Sequence, residues 1–314
     1  MTTGPRRFTT ETMLDITDWL HSKFTESPRT PVDIELYIGT TKKDLMPGEF
    51  ADGGNIQVRH RSMQNMVDLA DVLGCHLVPQ AMGDGWVTAR FCPRNPQNSW
   101  HHTENGVEKY GADSPYQRIQ KLEDPSFLHD LRRSLVEAGI EGCQYLMNLG
   151  VNTGDELTLV QRLNAKTRCL GIDHSPSAIA AAKARFAGQP VDFLELDINN
   201  ITTLDERHHH RYDIFMSLGT LHSPGVDSKR VFMWCMQHLL AKGASVIVGF
   251  PNCRWVDGEP VYGARTRNRR ETDMSLVIKD TYFIKKYLQQ HKFQVTIFGR
   301  YYLFVVGRPI AIQR

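Results

Sequence analysis

From about residue 142 onward the chain alternates short β-rich runs with helix-forming segments, and this alternation narrows its possible folds more than any other feature. The runs are residues 144–149 (QYLMNL), 168–172 (RCLGI), 191–196 (VDFLEL), 212–218 (YDIFMSL), 244–250 (ASVIVGF), 293–299 (FQVTIFG) and 301–307 (YYLFVVG). Helical segments are expected between the first six. Ser175-Pro176 and Asp227 read as helix starts, Gly188 and Gly243 as stops. Strands joined by helical crossovers pair in parallel, with helices on both faces of one sheet. Only a residue or two parts the last two runs, which is too short for a crossover. They must form a hairpin, so one of them runs antiparallel to the rest.

The residues before about 120 follow another pattern. Met13, Ile16, Leu20 and Phe24 recur at helical spacing, and residues 32–39 (VDIELYIG) alternate as a half-buried strand does. Met63, Met66, Val67, Ala70 and Leu73 make a second helical stripe stopped by Gly74, and CHLV–MGDG–WVTARFC reads as a hairpin. A small α+β region is therefore expected over 1–120, followed by the α/β domain over 121–314, whose first helix opens at Asp124-Pro125. The polar stretch 93–117, with Trp100, His101 and His102, reads as a lid or linker with a role in substrate binding. A length of 314 residues suits one large domain and a smaller one.

Composition removes several classes. A net charge of +2 is too small for a general nucleic-acid or membrane binder, so any basic surface must be local. The six cysteines are scattered without a C-x-x-C pair, which argues against a disulfide framework or structural zinc and suits a reducing cytoplasm. The start lacks the apolar stretch of a secretory signal, and no apolar run reaches the roughly 18–20 residues that span a bilayer. No metal site is expected; His208–His210 reads as a surface run.

The chemistry begins where the first strand ends, at Asn148-Leu-Gly150-Val-Asn152-Thr-Gly154. A glycine-rich turn between strand and helix lets the backbone approach a ligand and aims the helix N-terminus at it. The second strand leads into Asp173 and His174, where a carboxylate can accept both hydroxyls of a ribose. The third leads into Asp197 and Ile198, placing a second carboxylate where an adenine edge would lie. A phosphate-rich dinucleotide has less use for that second acid, and this disfavours an NAD-dependent dehydrogenase.

The ordered set NLGVNTGDEL, LGIDHSPSAIAAAKARF, FLELD, YDIFMSLGTLH and LLAKGASVIVGFP resembles the motifs of class I S-adenosylmethionine-dependent methyltransferases. The likeness covers residues 144–309, and the terminal antiparallel hairpin belongs to it. The resemblance implies a Rossmann-like seven-stranded sheet and S-adenosyl-L-methionine as cofactor. It implies that Gly150 and Gly154 shape the methionine pocket, Asp173 binds ribose, Asp197 holds the adenine amino group, and Ser217 to Gly219 face the methionine moiety. Two positions depart from the family pattern. Asn148 stands where an acidic residue is usual, keeping a carbonyl acceptor but losing the charge. Asn152 stands where a glycine is usual, and asparagine tolerates the left-handed geometry required there.

Acceptor-side residues should follow the fourth and fifth strands. His222 is the candidate base, with Tyr262 a second catalytic candidate. Asn252, Arg254, Trp255, Tyr262 and Arg265 are the substrate-binding candidates; Arg267, Arg269 and Arg270 read equally as a solvated basic loop. A polar or anionic small-molecule acceptor is expected, with an RNA nucleotide as the second class. A fainter likeness to RNA cap guanine methyltransferases runs through Ser217-x-x-x-x-His222 and Gly258-Glu-x-x-Tyr-Gly263. A non-catalytic cofactor-binding or scaffold protein is the reading that Asn148 alone suggests.

Overall fold

The computed structural model describes residues 4–39, 45–95, 111–263 and 274–310. They form two compact units, Met1–Ser99 with Val256–Glu259, and Trp100–Trp255 with Pro260–Arg314. The boundary expected at 120/121 falls inside the second unit.

The first unit contains β1 (Arg6–Phe8), α1 (Met13–Glu26), β2 (Val32–Tyr37), β3 (Phe50–Asp52), β4 (Gln57–Arg59), α2 (Met63–Val72), β5 (Cys75–Gly83) and β6 (Trp86–Pro93). Four of these strands make a mixed sheet in the order β1-β2-β6-β5, while β3 and β4 pair separately. Both helices open on capping boxes, Thr12 with Asp15 and Ser62 with Asn65. Their apolar stripes bury Ile16, Leu20 and Met66 against Ile34, Leu36 and Phe91. Each such buried side chain contributes roughly 1.5–3 kcal/mol. The β5–β6 turn is Asp84-Gly85, both at positive φ (51° and 81°), the two-residue geometry that matches strand twist.

The second unit is the expected α/β domain. It contains α3 (Pro125–Glu137), β7 (Tyr145–Leu149), α4 (Asp155–Leu163), β8 (Arg168–Asp173), α5 (Pro176–Arg185), β9 (Val191–Glu195), β10 (Tyr212–Leu218), α6 (Ser228–His238) and β11 (Leu240–Pro251). It ends with α7 (Ser275–Gln290), β14 (Phe293–Phe298) and β15 (Tyr302–Pro309), preceded by β12 (Cys253–Val256) and β13 (Glu259–Tyr262), of which Val256 and Glu259 belong to the first unit. Seven strands form one sheet in the order β14-β15-β11-β10-β7-β8-β9, parallel except for β15. Strand order reverses between β7 and β10, which opens a crevice at their carboxyl ends.

Side chains along the central strands alternate between two cores. Leu146, Ile214 and Ile247 join the layer of α3, α4 and α5. Met147, Phe215 and Val246 join the layer of α6 and α7. Asp124, Ser175 and Asp227 cap α3, α5 and α6, as their sequence positions suggested.

Three expectations need correction. Gly243 does not stop a helix: α6 ends at His238, and Gly243 lies at φ 86° within β11 where the pairing with β10 shifts register. No α-helix separates β9 from β10; Ile198–Thr203 and Glu206–His208 make 3-10 turns instead. The segment after β11, read as a loop, folds partly into the β12–β13 hairpin around Asp257-Gly258, both at positive φ. The histidine run is also more than a surface feature, because His209 packs on Trp234 and His238.

Candidate active site

Asn148 stands near the end of the central strand β7, facing Gly171 of β8 and Met216 of β10. Its side chain is 1% exposed, and its Oδ1 has no hydrogen-bond partner among the described residues. An acceptor left so in a closed core is costly, by about 1–3 kcal/mol, unless a ligand donates to it. A carbonyl oxygen so placed can accept a hydrogen bond from a bound amino group.

The turn that follows is built around special backbone geometry. Gly150 lies at φ 78°, and a Cβ there would stand 1.9 Å from Oγ1 of Thr220. Its N–H and that of Val151 both donate to the carbonyl of Ile172, at 2.7 and 3.0 Å. Asn152 adopts the left-handed region at φ 50°, and its Oδ1 accepts from the Thr153 N–H and from Nε2 of Gln117, each at 2.7 Å. The asparagine thus holds its own unusual backbone in place. Gly154 starts α4 at φ 83° without a side-chain cap.

Asp173 closes β8 and is nearly buried. Its carboxylate accepts the Asn152 N–H at 2.8 Å and the Ser175 N–H at 3.1 Å, with His174 Nδ1 at 3.4 Å. Burial alone would raise its pKa; the bonds from His174, Ser175 and Asn152 more than offset this and hold it below the usual carboxylate value. Asp173 therefore organises the glycine turn. Asp197 is exposed and caps the following 3-10 turn through the Asn199 N–H, while the Ile198 side chain belongs to the core. On β10, Ser217 Oγ donates to the Leu149 carbonyl at 3.1 Å, and the Gly219 N–H donates to the Gly249 carbonyl at 2.8 Å. Gly219 lies at φ 72° with the Tyr302 hydroxyl close against it.

On the acceptor side, Asn252 follows β11. Its Nδ2 donates to the Arg300 carbonyl at 2.9 Å, and its buried Oδ1 has no partner among the described residues. Trp255 Nε1 donates to the Tyr301 hydroxyl at 2.5 Å. Tyr262 lies under the Arg300 guanidinium, 4.3 Å from its ring centre, with its hydroxyl 3.4 Å from Asp124. Burial pushes the Tyr262 phenol up, so at neutral pH it is a hydrogen-bond donor and not a base. Arg254 and His222 are half-buried, His222 in the turn after β10. Arg265, Arg267, Arg269 and Arg270, like Trp100, His101 and His102, lie outside the described residues.

Sequence reasoning missed a buried group beside the glycine turn. Lys121 and Glu156 form an ion pair, both buried, with the ammonium ringed by Tyr116, Phe127 and Tyr302. Burial disfavours the charged Lys121, but the Glu156 carboxylate more than compensates and raises its pKa. Only Glu156, in the first turn of α4, stood near a recognised motif. Gln117 gave no sign of its contact with Asn152.

Residues 147–248 match the family model described as a methyltransferase domain. No curated protein matches the chain. Similar solved structures include a SAM-dependent methyltransferase from Aquifex aeolicus, 15% identical, covering 60% of this chain and 97% of its own, with a TM-score of 0.43. Another is an S-adenosylmethionine-dependent methyltransferase from Mesorhizobium loti, at 18% identity, 60% and 99% coverage, and a TM-score of 0.42. A third is the magnesium protoporphyrin IX methyltransferase of Synechocystis with bound SAM, at 13%, 64% and 94%, and 0.40. No helix among the described residues is long and apolar enough to cross a membrane. The matched segment, residues 147–248, thus lies within the seven-stranded sheet whose one antiparallel strand is β15.

Proposed function

We propose that the enzyme transfers its methyl group to a polar or anionic small molecule held at the carboxyl ends of β10 and β11. The observation that carries this reading is Asn252. It keeps a buried carbonyl oxygen without a partner among the described residues at the end of β11, with Trp255 and Tyr262 following on the β12–β13 hairpin. A buried acceptor of this kind calls for an N–H or O–H from an enclosed ligand.

S-adenosylmethionine supplies an electrophilic methyl carbon on a sulfonium. Asn148 accepts from the amino group of its methionine end, Asp173 from the ribose hydroxyls and Asp197 from the adenine amine. The Gly150–Gly154 turn and the backbone from Ser217 to Gly219 line the methionine end. Asn252 orients the acceptor through its Oδ1, with Arg254, Trp255 and Tyr262 forming the wall. Once bound, the sulfonium group would give its methyl carbon to a lone pair of the acceptor, its carbon–sulfur bond breaking to leave a neutral thioether. His222 takes the proton released by the acceptor.

The test is transfer of a tritiated methyl group into fractionated cell extract. Label is expected in the small-molecule fraction, and Asn252→Ala should raise KM for that acceptor about tenfold while leaving calorimetric affinity for S-adenosylmethionine within twofold. Label confined to RNA would overturn the assignment of the acceptor. Absence of any cofactor binding at millimolar concentration would overturn catalysis itself.

A further inference from the structure

A cavity of about 320 Å³ lies between α6 and α7, floored by Leu221, Phe250, Phe283 and Ile284. Its rim carries Lys229, Lys279 and Lys286 against one carboxylate, Asp280. Among the described residues none of the three lysines makes an ion pair. Lys229 lies over the Phe283 ring at 5.3 Å, and Lys286 lies 5.9 Å from the ring of Tyr282. The floor is therefore apolar and aromatic, and the rim carries uncompensated positive charge. A volume near 300 Å³ is at the lower end for small-ligand pockets.

The position of this cavity gives it meaning. Gly219 and Gly249 are joined by the hydrogen bond at the end of β10, and Leu221 and Phe250 lie two and one residues beyond them. Two residues that line the cavity thus follow, within one or two positions, the strand ends that face the cofactor's methionine end in the reading above.

We infer that this groove holds the acceptor's distal part, and that the acceptor is a small amphipathic anion with an aromatic or short apolar body ending in a carboxylate or phosphate. The apolar body would lie on Phe283 and Leu221, and the anionic end would meet the lysines. A neutral molecule would gain nothing from the three exposed ammonium groups, and a cationic one would be repelled by them. The inference rests on the proposed acceptor side, but anion binding in the groove can be measured without turnover.

Three probes of one shape separate the contributions: 2-naphthoate, 2-naphthyl phosphate and the neutral 2-naphthylmethanol. Ligand-detected NMR titration of the full chain saturated with S-adenosylhomocysteine should show at least one anion binding ten times more tightly than the alcohol. Which anion wins distinguishes a carboxylate from a phosphate acceptor. The preference should collapse to less than threefold in Lys229→Gln/Lys279→Gln/Lys286→Gln, whose affinity for S-adenosylhomocysteine should stay within twofold. If the triple variant does not fold, Lys279→Gln/Lys286→Gln serves, with at least a threefold loss expected. In the tritium assay, labelled acceptors should be retained on an anion exchanger.

Equal binding of anions and alcohol, or a preference that survives the lysine substitutions, would overturn the groove assignment. Labelled acceptors that pass through the exchanger would overturn its link to methyl transfer. Loss of S-adenosylhomocysteine binding by the wild-type chain would instead refute the cofactor reading, so the failures are distinguishable.

Discussion

Replacing Asn148 with leucine should move stability and cofactor affinity in opposite directions. The side chain is 1% exposed and its Oδ1 lacks a partner among the described residues, so the cofactor-free protein bears the desolvation of a carbonyl. That penalty is about 1–3 kcal/mol, and leucine, with similar branching and no polar atom, removes it. The free protein should therefore gain about 1–2 kcal/mol, read as a higher urea midpoint with an unchanged slope. The same oxygen is the acceptor proposed for the cofactor's charged amino group. A hydrogen bond to a charged group is worth about 1.5–3 kcal/mol, so the dissociation constant for S-adenosylmethionine should rise roughly 10- to 150-fold. S-adenosylhomocysteine should lose as much, because it carries the same amino group. Urea unfolding and titration calorimetry on one preparation give both numbers. A leucine variant that is less stable and binds the cofactor as well as wild type would refute the reasoning and make Asn148 a structural residue.

Other substitutions test the architecture around it. Gly150→Ala combines a left-handed φ of 78° with a Cβ 1.9 Å from Thr220 Oγ1, so urea unfolding should show a loss of about 2–4 kcal/mol. Gly150→Ala/Thr220→Gly should recover the steric part and leave the backbone part, because Thr220 Cβ also lies within 2.6 Å of the added methyl. Lys121→Met leaves Glu156 buried without its partner and should destabilise by about 3–5 kcal/mol, whereas Lys121→Met/Glu156→Leu should return most of that in the same assay. Asp173 has a folded pKa below the ordinary 3.8, so its contribution to stability is present above that value and is lost as pH falls through the folded value. Acid titration of unfolding should show a shallower loss below pH 4 for Asp173→Asn than for wild type, and parallel curves would remove Asp173 from the linkage.

The fold was legible where burial on both faces leaves a simple mark. Four parallel strands, β7, β8, β10 and β11, read as apolar runs because α3, α4 and α5 cover one face while α6 and α7 cover the other. Misreadings arose where a residue has two uses. Gly243 has the positive φ of a helix stop, yet it relieves a register shift inside β11. Asp257-Gly258 is a two-residue hairpin signal, but its flanking strands of four residues each are too short and too polar to stand out beside an arginine-rich stretch. The β9–β10 connection forms 3-10 turns because Asp197 and Asp205 each cap a short segment that never reaches helical length.

The donor side and the acceptor side differ in how they are encoded. Asn148, Gly150, Asp173 and Gly219 lie at or just beyond the ends of strands that neighbour one another in the sheet, so recognising the strands places them together. Acceptor-side partners are distant in sequence: Asn252 reaches Arg300 across 48 residues, and Tyr262 reaches Asp124 across 138. No local pattern marks such pairs. The lysines illustrate the same point. No local pattern singles out Lys229, Lys279 or Lys286, whereas the run from Arg265 to Arg270 stands out as positive charge in the sequence. Packing α6 beside α7 brings the three lysines around Leu221 and Phe250, next to the Gly219–Gly249 bond. Selectivity for an anion would then reside in helix faces, while the strand ends carry what a methyl donor requires. Donor binding and acceptor choice could vary independently on such a scaffold, because they draw on residues from different layers of the same sheet.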